Sequence, residues 1–470
     1  MDGPLPVVSG GTVSASKPPA CLQYGFIHEN WLGGWPLPSY PPGLQHLPGL
    51  HHGNRNPAAI AAILVLLLLG AAVRVNDLRV PRKVSEDEQV YTQQALMILK
   101  GGFVNGTRSL AQLYLRAPRL SVDPPPTRFG FVFPLVWVMK FSGSRDERAG
   151  AWLSCAASIA ALGITALIGL EFFGHWITAI ALLFLSLFPP DLFLAQRCWT
   201  DSMAGLAGLL LMYLTLKILS IRPARTAHCV SLAAAGAAAL LVKDTCVLIY
   251  GMCLLPALWV LLIRDRDVQK AGILVGAAAL GVAADIGLWT VCTGRMGLFV
   301  ELVLINLRST RTNPYTVQWQ SCPGYVLLWA LRILSPLTVS LAALGMVAAG
   351  LPAIGSAAVE RPREAAGLAG GVAVLTGIYM FMPHWQSVRF LSPIFGPACL
   401  FAGLAVWRMY LVARRRVPAA ILRPLCVVTL AVIVASLAVD VRRFQIYLRS
   451  GISDLPARLL LYYDQRLGSP

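Results

Sequence analysis

Apolar residues along this chain fall in long unbroken runs, with neither the stripes of a surface helix nor the alternation of a strand. IAAILVLLLLGAAV, AIALLFLSLF, AGLLLMYLTL and VLIYGMCLLPALWVLLI each approach the roughly 20 apolar residues that cross a bilayer. Only helices and closed barrels span lipid, because every backbone polar group must be paired there. Without strand alternation the runs read as helices. The pattern predicts spans near 57–75, 148–169, 175–194, 200–220, 228–242, 245–263, 271–292, 325–350, 367–383, 390–411 and 422–440, about eleven in all. The expected fold is an all-α polytopic membrane bundle over 57–440. It is flanked by a disordered Pro/Gly-rich cytoplasmic extension at 1–56 and a short tail at 441–470. No cleavable signal peptide opens the chain, so the first span reads as an uncleaved anchor.

Composition agrees. Of 470 residues, 56% are hydrophobic and only 13% charged, too few charges to cover a soluble surface of this length. The net charge of +17 would suggest nucleic acid in a soluble protein. In a membrane protein it points to basic loops set against anionic headgroups, so membrane lipids are the expected partner and nucleic acid is not. Cys155, Cys229, Cys253, Cys399 and Cys426 lie in or beside apolar runs and no CxxC occurs. They read as small buried hydrophobes, not a zinc or redox motif.

Lys and Arg set the orientation. Lys217, Arg222 and Arg225, then Arg264, Arg266 and Lys270, then Arg408, Arg414, Arg415, Arg416 and Arg423 fall in joints on one side of the expected bundle, which is therefore cytoplasmic with the amino terminus. Arg442 and Arg443, just past the last span, fall on the other side by the same count. The first outer loop, 76–147, has structure of its own. SEDEQVYTQQALMILKGG follows acidic residues with Val90, Ala95, Leu96 and Leu99 near helical spacing. FGFVFPLVWVMKF at 129–141 is apolar yet too short to span, and reads as a helix lying in the interface, with DPPP at 123–126 as the turn between them. Asn105-Gly106-Thr107 fits an acceptor sequon.

Ionisable residues gather at the opposite ends of the spans: Asp87 and Glu88, Arg197 and Asp201, Lys243 and Asp244, His384 and Arg389. Four separate joints thus offer acids and bases at one level. Transfer of a sugar from a lipid phosphate needs cations for the leaving phosphate and a carboxylate to take the acceptor proton. Each group also has a bland reading. Arg197 and Asp201 are four apart and would pair along a helix. Lys243 would snorkel to headgroups. Asp87 and Glu88 would be solvated, His384 a loop histidine and Arg389 an interface anchor. Asp285, deep in a span, is costly there and is a functional candidate or a helix-to-helix hydrogen bond.

In this order the segments resemble the membrane glycosyltransferases of the GT-C superfamily, and most of all the branch of protein O-mannosyltransferases, the lipid A aminoarabinose transferase and rhizobial lipopolysaccharide-core transferases. The acidic pair followed by a tyrosine is SEDEQVYTQQALMILKGG, and the proline-led helix is PPPTRFGFVFPLVWVMKFSG. The arginine opening the second span is Arg148, followed by LEFFGHW, SLFPPDLFLAQRCWTDSMAG, LLVKDTCVL and PHWQSVRFLSPIFGP. The likeness covers roughly residues 57 to 410. It implies a polyprenyl-phosphate-sugar donor, a glycan, lipid or protein acceptor, inversion at the sugar carbon, and a site on the extracytoplasmic face of a bacterial inner membrane. It implies Asp87 as the catalytic base, with Glu88 shaping the site or helping to hold a metal. Arg197, Lys243 and Arg389 would approach the donor phosphate, and Asp201 and His384 would shape the site. Some members use a divalent metal such as Mg or Mn, for which Asp87 and Glu88 are the candidate ligands. A transporter or flippase of a lipid-linked or anionic substrate is the alternative, using the same cations without chemistry.

Overall fold

The computed structural model describes residues 56–78, 84–116, 127–298, 300–302, 304, 335–350, 359–381 and 388–450. Among them every regular element is helical. In chain order these are α1 (Pro57–Asp77), α2 (Glu86–Gly101), α3 (Phe103–Arg116), α4 (Phe129–Ser142), α5 (Glu147–Ile168), α6 (His175–Ser186), α7 (Pro189–Ala195) and α8 (Asp201–Ser220). There follow α9 (Thr226–Val242), α10 (Cys246–Trp259), α11 (Val268–Thr293), α12 (Pro336–Gly350), α13 (Pro362–Phe381), α14 (Phe395–Arg416) and α15 (Ala419–Ser450), with a 3₁₀ turn at Val388–Ile394 leading into α14.

Capping explains several starts. Asn56 accepts from the amides of Ala58 and Ala59 ahead of Pro57, and Asp146 and Asp267 do the same for α5 and α11. The centre of the bundle is α14, packed on α6 and α12, beside the layer in which α5, α9 and α10 pack on α8. Leu64, Leu68, Leu255, Trp259, Val427 and Val432 stay exposed on helices with nothing else to cover them, as hydrocarbon-facing side chains should.

Seven described helices are long and apolar enough to cross a membrane, and eight if α6 and α7 form one bent span. The expected count of about eleven is not reached on this measure: α9 and α12 are apolar but shorter, and α13, at the span expected at 367–383, is not among the helices that pass. The span expected at 175–194 is broken by 60° between α6 and α7. The cause is local: Pro189 has no N–H to offer the Leu185 carbonyl. Arg74 takes its place, donating to Leu185 O at 3.1 Å, Gly70 O at 2.9 Å, Ser158 Oγ at 2.6 Å and the Asp191 carboxylate. Ser158 Oγ donates to the same carboxylate at 2.7 Å, so the break is filled by a buried, hydrogen-bonded ion pair.

The segment 84–142 carries the two expected helices, α2 and α4, and a third, α3. Gly106, Thr107, Leu110, Ala111 and Tyr114 form its buried face. The Asn105 sequon therefore lies in a helix with the Thr107 hydroxyl buried, which removes the surface loop such an acceptor needs. α4 buries one face, with Phe131, Val132, Leu135, Val136 and Met139 packed where it meets α2, α5 and α9, while Trp137 and Phe141 stay exposed. The last helix does not stop near 440 but runs to Ser450. The 1–55 part of the extension, the DPPP turn and His384 lie outside the described residues. Of the described cysteines, seven are buried and Cys426 is half-buried.

Candidate active site

The acidic pair sits in the first turn of α2 and its two members face different ways. Ser85 is the N-cap, and Glu88 closes a capping box: Ser85 N donates to Glu88 Oε2 at 2.9 Å and Glu88 N to Ser85 Oγ at 3.4 Å. Asp87, one residue earlier, is turned by about 100° around the helix and leaves the box.

Glu88 is wholly buried and committed. Its Oε2 also accepts from Arg197 Nη1 at 2.9 Å, and its Oε1 from Cys198 N at 2.9 Å. Both side chains of this ion pair are 0% exposed. Phe193 and Trp199 flank the guanidinium, at 4.8 and 5.5 Å from its central carbon. Trp199 Nε1 donates to Ser85 Oγ at 3.1 Å, which ties the turn before α8 back to the start of α2.

Asp87 is partly exposed and meets a segment from the far end of the chain. Its Oδ2 accepts from Arg389 Nη1 at 2.7 Å, with side chains 33% and 25% exposed. Arg389 comes from the 3₁₀ turn, which is seated on α8. Ser392 Oγ donates to Asp201 O at 2.8 Å, and Gly208 makes room for Pro393, whose Cβ would lie 2.5 Å from a Cβ at that position. The Arg389 guanidinium lies over Trp199 at 5.1 Å and Phe390 at 5.6 Å, a flat aromatic seat.

Two further cations border Asp87. Lys243, in the turn between α9 and α10, pairs with Asp201 and lies 4.3 Å from the Phe390 ring, with side chains of the pair 4% and 3% exposed. Arg128, the N-cap residue of α4, donates to Tyr91 Oη and lies 3.9 Å from Asp244. Gly130 lets α4 come this close: a Cβ there would lie 2.8 Å from Val242 N.

The charges shape one another. Burial alone would push the Asp87 carboxyl up, but the charge and hydrogen bond of Arg389, with Arg128 and Lys243 beyond, hold it below the usual carboxylate range. Burial draws Lys243 down, against the pull of Asp201. Burial pushes the Tyr91 phenol up to about 12, so it stays a neutral donor or acceptor. A carboxylate ionised at neutral pH, beside an arginine edge and two more cations, can accept a proton from a hydroxyl while the cations hold an anion.

The structure thus brings together Asp87, Arg389, Lys243 and Asp201 at one end of α8, with Glu88 and Arg197 directly behind. Arg197 and Asp201 do not pair with each other. Arg197 precedes α8 and faces Glu88, whereas Asp201 opens α8 and faces Lys243. Lys243 is not at the bundle surface but buried. Arg197, also buried, touches Glu88 and the rings of Phe193 and Trp199. Asp285 is not part of the cluster: its Oδ2 is buried in α11 with no hydrogen-bond partner among the described residues. Sequence reasoning missed Arg128 and the role of Tyr91. The signal for Arg128 was its position as the one cation heading the apolar FGFVF run. The Ser85-x-x-Glu88 spacing was a readable capping box that separated the two acids.

Asp87 and Glu88 do not come together as metal ligands among the described residues. Among the described residues no group of three His, Cys, Asp or Glu comes together. Glu88, expected beside Asp87 as a candidate ligand, already has its oxygens taken by two amides and Arg197, and Asp87 faces Arg389.

The helical bundle that carries these residues shares its fold with two solved structures. AglB, an archaeal oligosaccharyltransferase from Archaeoglobus fulgidus in complex with an inhibitory peptide and a dolichol-phosphate, aligns over 83% of this chain and 56% of its own, at 10% identity and a TM-score of 0.50. ArnT from Cupriavidus metallidurans in the apo state aligns over 83% of this chain and 73% of its own, at 17% identity and a TM-score of 0.50. The chain therefore spans little more than half the length of the oligosaccharyltransferase. No family model matches the sequence, and no curated protein matches it. At these identities the likeness is one of fold.

Proposed function

We propose that this protein is a glycosyltransferase that moves a sugar from a polyprenyl-phosphate donor to an acceptor hydroxyl, with the site on the extracytoplasmic face of a bacterial cell membrane. The observation that carries the reading is the Asp87–Arg389 ion pair, formed at 2.7 Å across the length of the chain beside Arg128 and Lys243. It puts a partly exposed base against a partly exposed cation, as a reaction between a hydroxyl and a phosphate-linked carbon requires. The GT-C fold and the dolichol-phosphate held by the AglB structure support the donor class.

In this reading the lipid phosphate takes the edge of Arg389, with Arg128 and Lys243 supplying further positive charge. Asp87 exchanges its arginine partner for the acceptor hydroxyl. The acceptor oxygen attacks the anomeric carbon from the face opposite the phosphate, and its proton passes to Asp87 Oδ. The bond from the anomeric carbon to the phosphate oxygen breaks with its electron pair, leaving polyprenyl phosphate held by the cations. One displacement inverts the sugar carbon. Glu88, Arg197 and Asp201 position the groups that react: the first two fix the start of α2 and the Trp199 turn, and Asp201 holds Lys243 and the Ser392 turn. His384 is proposed as a further site-shaping residue.

The test is product identity. Purified protein given a panel of labelled lipid-phosphate sugars and acceptors should release free lipid phosphate and a glycosylated acceptor. A protein that only carries the intact donor across a vesicle membrane, releasing no lipid phosphate, would be a transporter, and the proposal would fall.

A further inference from the structure

The three helices that present Asp201, Lys243 and the approach to Arg389 enclose something different at their other ends. A cavity of about 640 Å³ lies between α8, α10 and α13. It is within the ~300–1,000 Å³ typical of sites for small ligands. Its wall is apolar, with Met212, Leu216, Met252 and Leu368 among its residues, and the two methionines give it adaptable side chains. Its mouth is polar: Arg222, Arg264, Arg363 and Glu364 line it. α8 has 20 residues, which places this mouth about 30 Å from Asp201, the thickness of a bilayer's hydrocarbon.

The arginines divide into structure and surplus. Arg264 is used by the fold. It chelates Asp265 at 2.7 and 2.9 Å and donates to the carbonyls of Ile218, Leu219 and Ile221 at the end of α8. Arg222 and Arg363 are exposed, and among the described residues neither has an ion-pair partner. The mouth thus holds Arg222, near Asp265, and Arg363, beside Glu364, over an apolar slot between α8, α10 and α13. A small soluble anion would use the mouth and leave the slot empty, and a neutral lipid would fill the slot and leave the arginines unmatched.

We propose that this cleft is a binding site for an anionic phospholipid of the leaflet opposite the Asp87 site, with one acyl chain between α8, α10 and α13 and the phosphate on Arg222 and Arg363. The lipid wedges the three helices apart at one end while their other ends hold Asp201, Lys243 and the Arg389 turn, so its occupancy stabilises the bundle on which the site is built. The proposal stands whether or not Asp87 is a catalytic base.

Two variants test it. Arg222→Gln with Arg363→Gln removes the mouth charge at exposed positions. Gly371→Leu fills the slot, since a Cβ at Gly371 meets nothing within 4 Å and leucine favours the helix. Full-length protein is exchanged into micelles carrying phosphatidylglycerol, phosphatidylcholine, undecaprenyl phosphate or inorganic phosphate. Lipid retention is read by native mass spectrometry and thermal midpoint by intrinsic fluorescence. Phosphatidylglycerol should be retained at least tenfold better than phosphatidylcholine and should raise the midpoint. Both variants should lose that retention and that rise while keeping the wild-type midpoint in lipid-free detergent. Equal retention of the two phospholipids, unchanged retention in either variant, or displacement of phosphatidylglycerol by undecaprenyl phosphate or inorganic phosphate would each overturn the assignment.

Discussion

Asp87 and Glu88 are neighbours in sequence, yet their ion pairs should differ in energy by several kcal/mol, and the difference can be measured. In Arg197→Met the Glu88 carboxylate stays buried, still held by Ser85 N and Cys198 N but without its counter-charge. Removing one partner of a fully buried pair costs about 3–5 kcal/mol, and the two remaining amides put this variant near about 3. Glu88→Ala strands Arg197 in the same pocket and also opens the capping box, for about 4–6 kcal/mol. Removing both residues leaves no unpaired charge, so the double variant should cost about 4 kcal/mol and the coupling should exceed about 2 kcal/mol. The Asp87–Arg389 pair, with side chains 33% and 25% exposed, should contribute no more than about 1 kcal/mol. Arg148→Ala, at a side chain 87% exposed, is the control and should lie within about 0.5 kcal/mol of wild type. Denaturant unfolding in mixed micelles, followed by tryptophan fluorescence, gives all five values. An Arg197→Met cost under about 1 kcal/mol, or additive effects in the double variant, would refute a structural role for Glu88 and Arg197.

Arg128→Gln should lower transfer by about 10²–10³-fold with little loss of stability, and Arg128→Lys should recover part of it, as read by initial rates on saturating donor. Asp87 should be ionised well below neutrality, so activity and the small stability of its ion pair are both present above the ordinary carboxylate range and lost as pH falls through the lowered value. In Arg389→Gln the influence of burial is no longer offset by that cation, so the acid limb of the rate profile should move to higher pH; an unmoved limb would separate Asp87 from the rate. Lys243→Met alone should destabilise by about 3–5 kcal/mol because Asp201 is left buried, whereas Lys243→Met with Asp201→Asn should regain folding without regaining transfer.

Much of this architecture could be read along the chain, because a bilayer leaves few choices for a long apolar run. The acids and bases that meet were also visible, since Asp87, Lys243 and Arg389 interrupt or flank those runs. Partner choice was not visible. Spacing favours Arg197 with Asp201, but a single turn of chain separates them into different faces, and only the return of α2 supplies Arg197 with Glu88. The break between α6 and α7 was signalled by Pro189-Pro190, yet what stabilises it, Arg74 inside α1, lies more than a hundred residues away. Arg128 was hidden for a similar reason: its neighbours are apolar, and its meaning comes from Tyr91 and Asp244 on other elements. The cleft behind α13 has no local signature, because α8, α10 and α13 each contribute an ordinary apolar face.

The most direct measurement compares Asp87→Asn and Asp87→Glu in the lipid-phosphate release assay, with donor binding and thermal midpoint recorded on the same samples. Loss of transfer in Asp87→Asn by about 10²-fold or more, partial activity in Asp87→Glu and unchanged donor binding are the results a proton acceptor at this position requires. Wild-type rates in Asp87→Asn would contradict it.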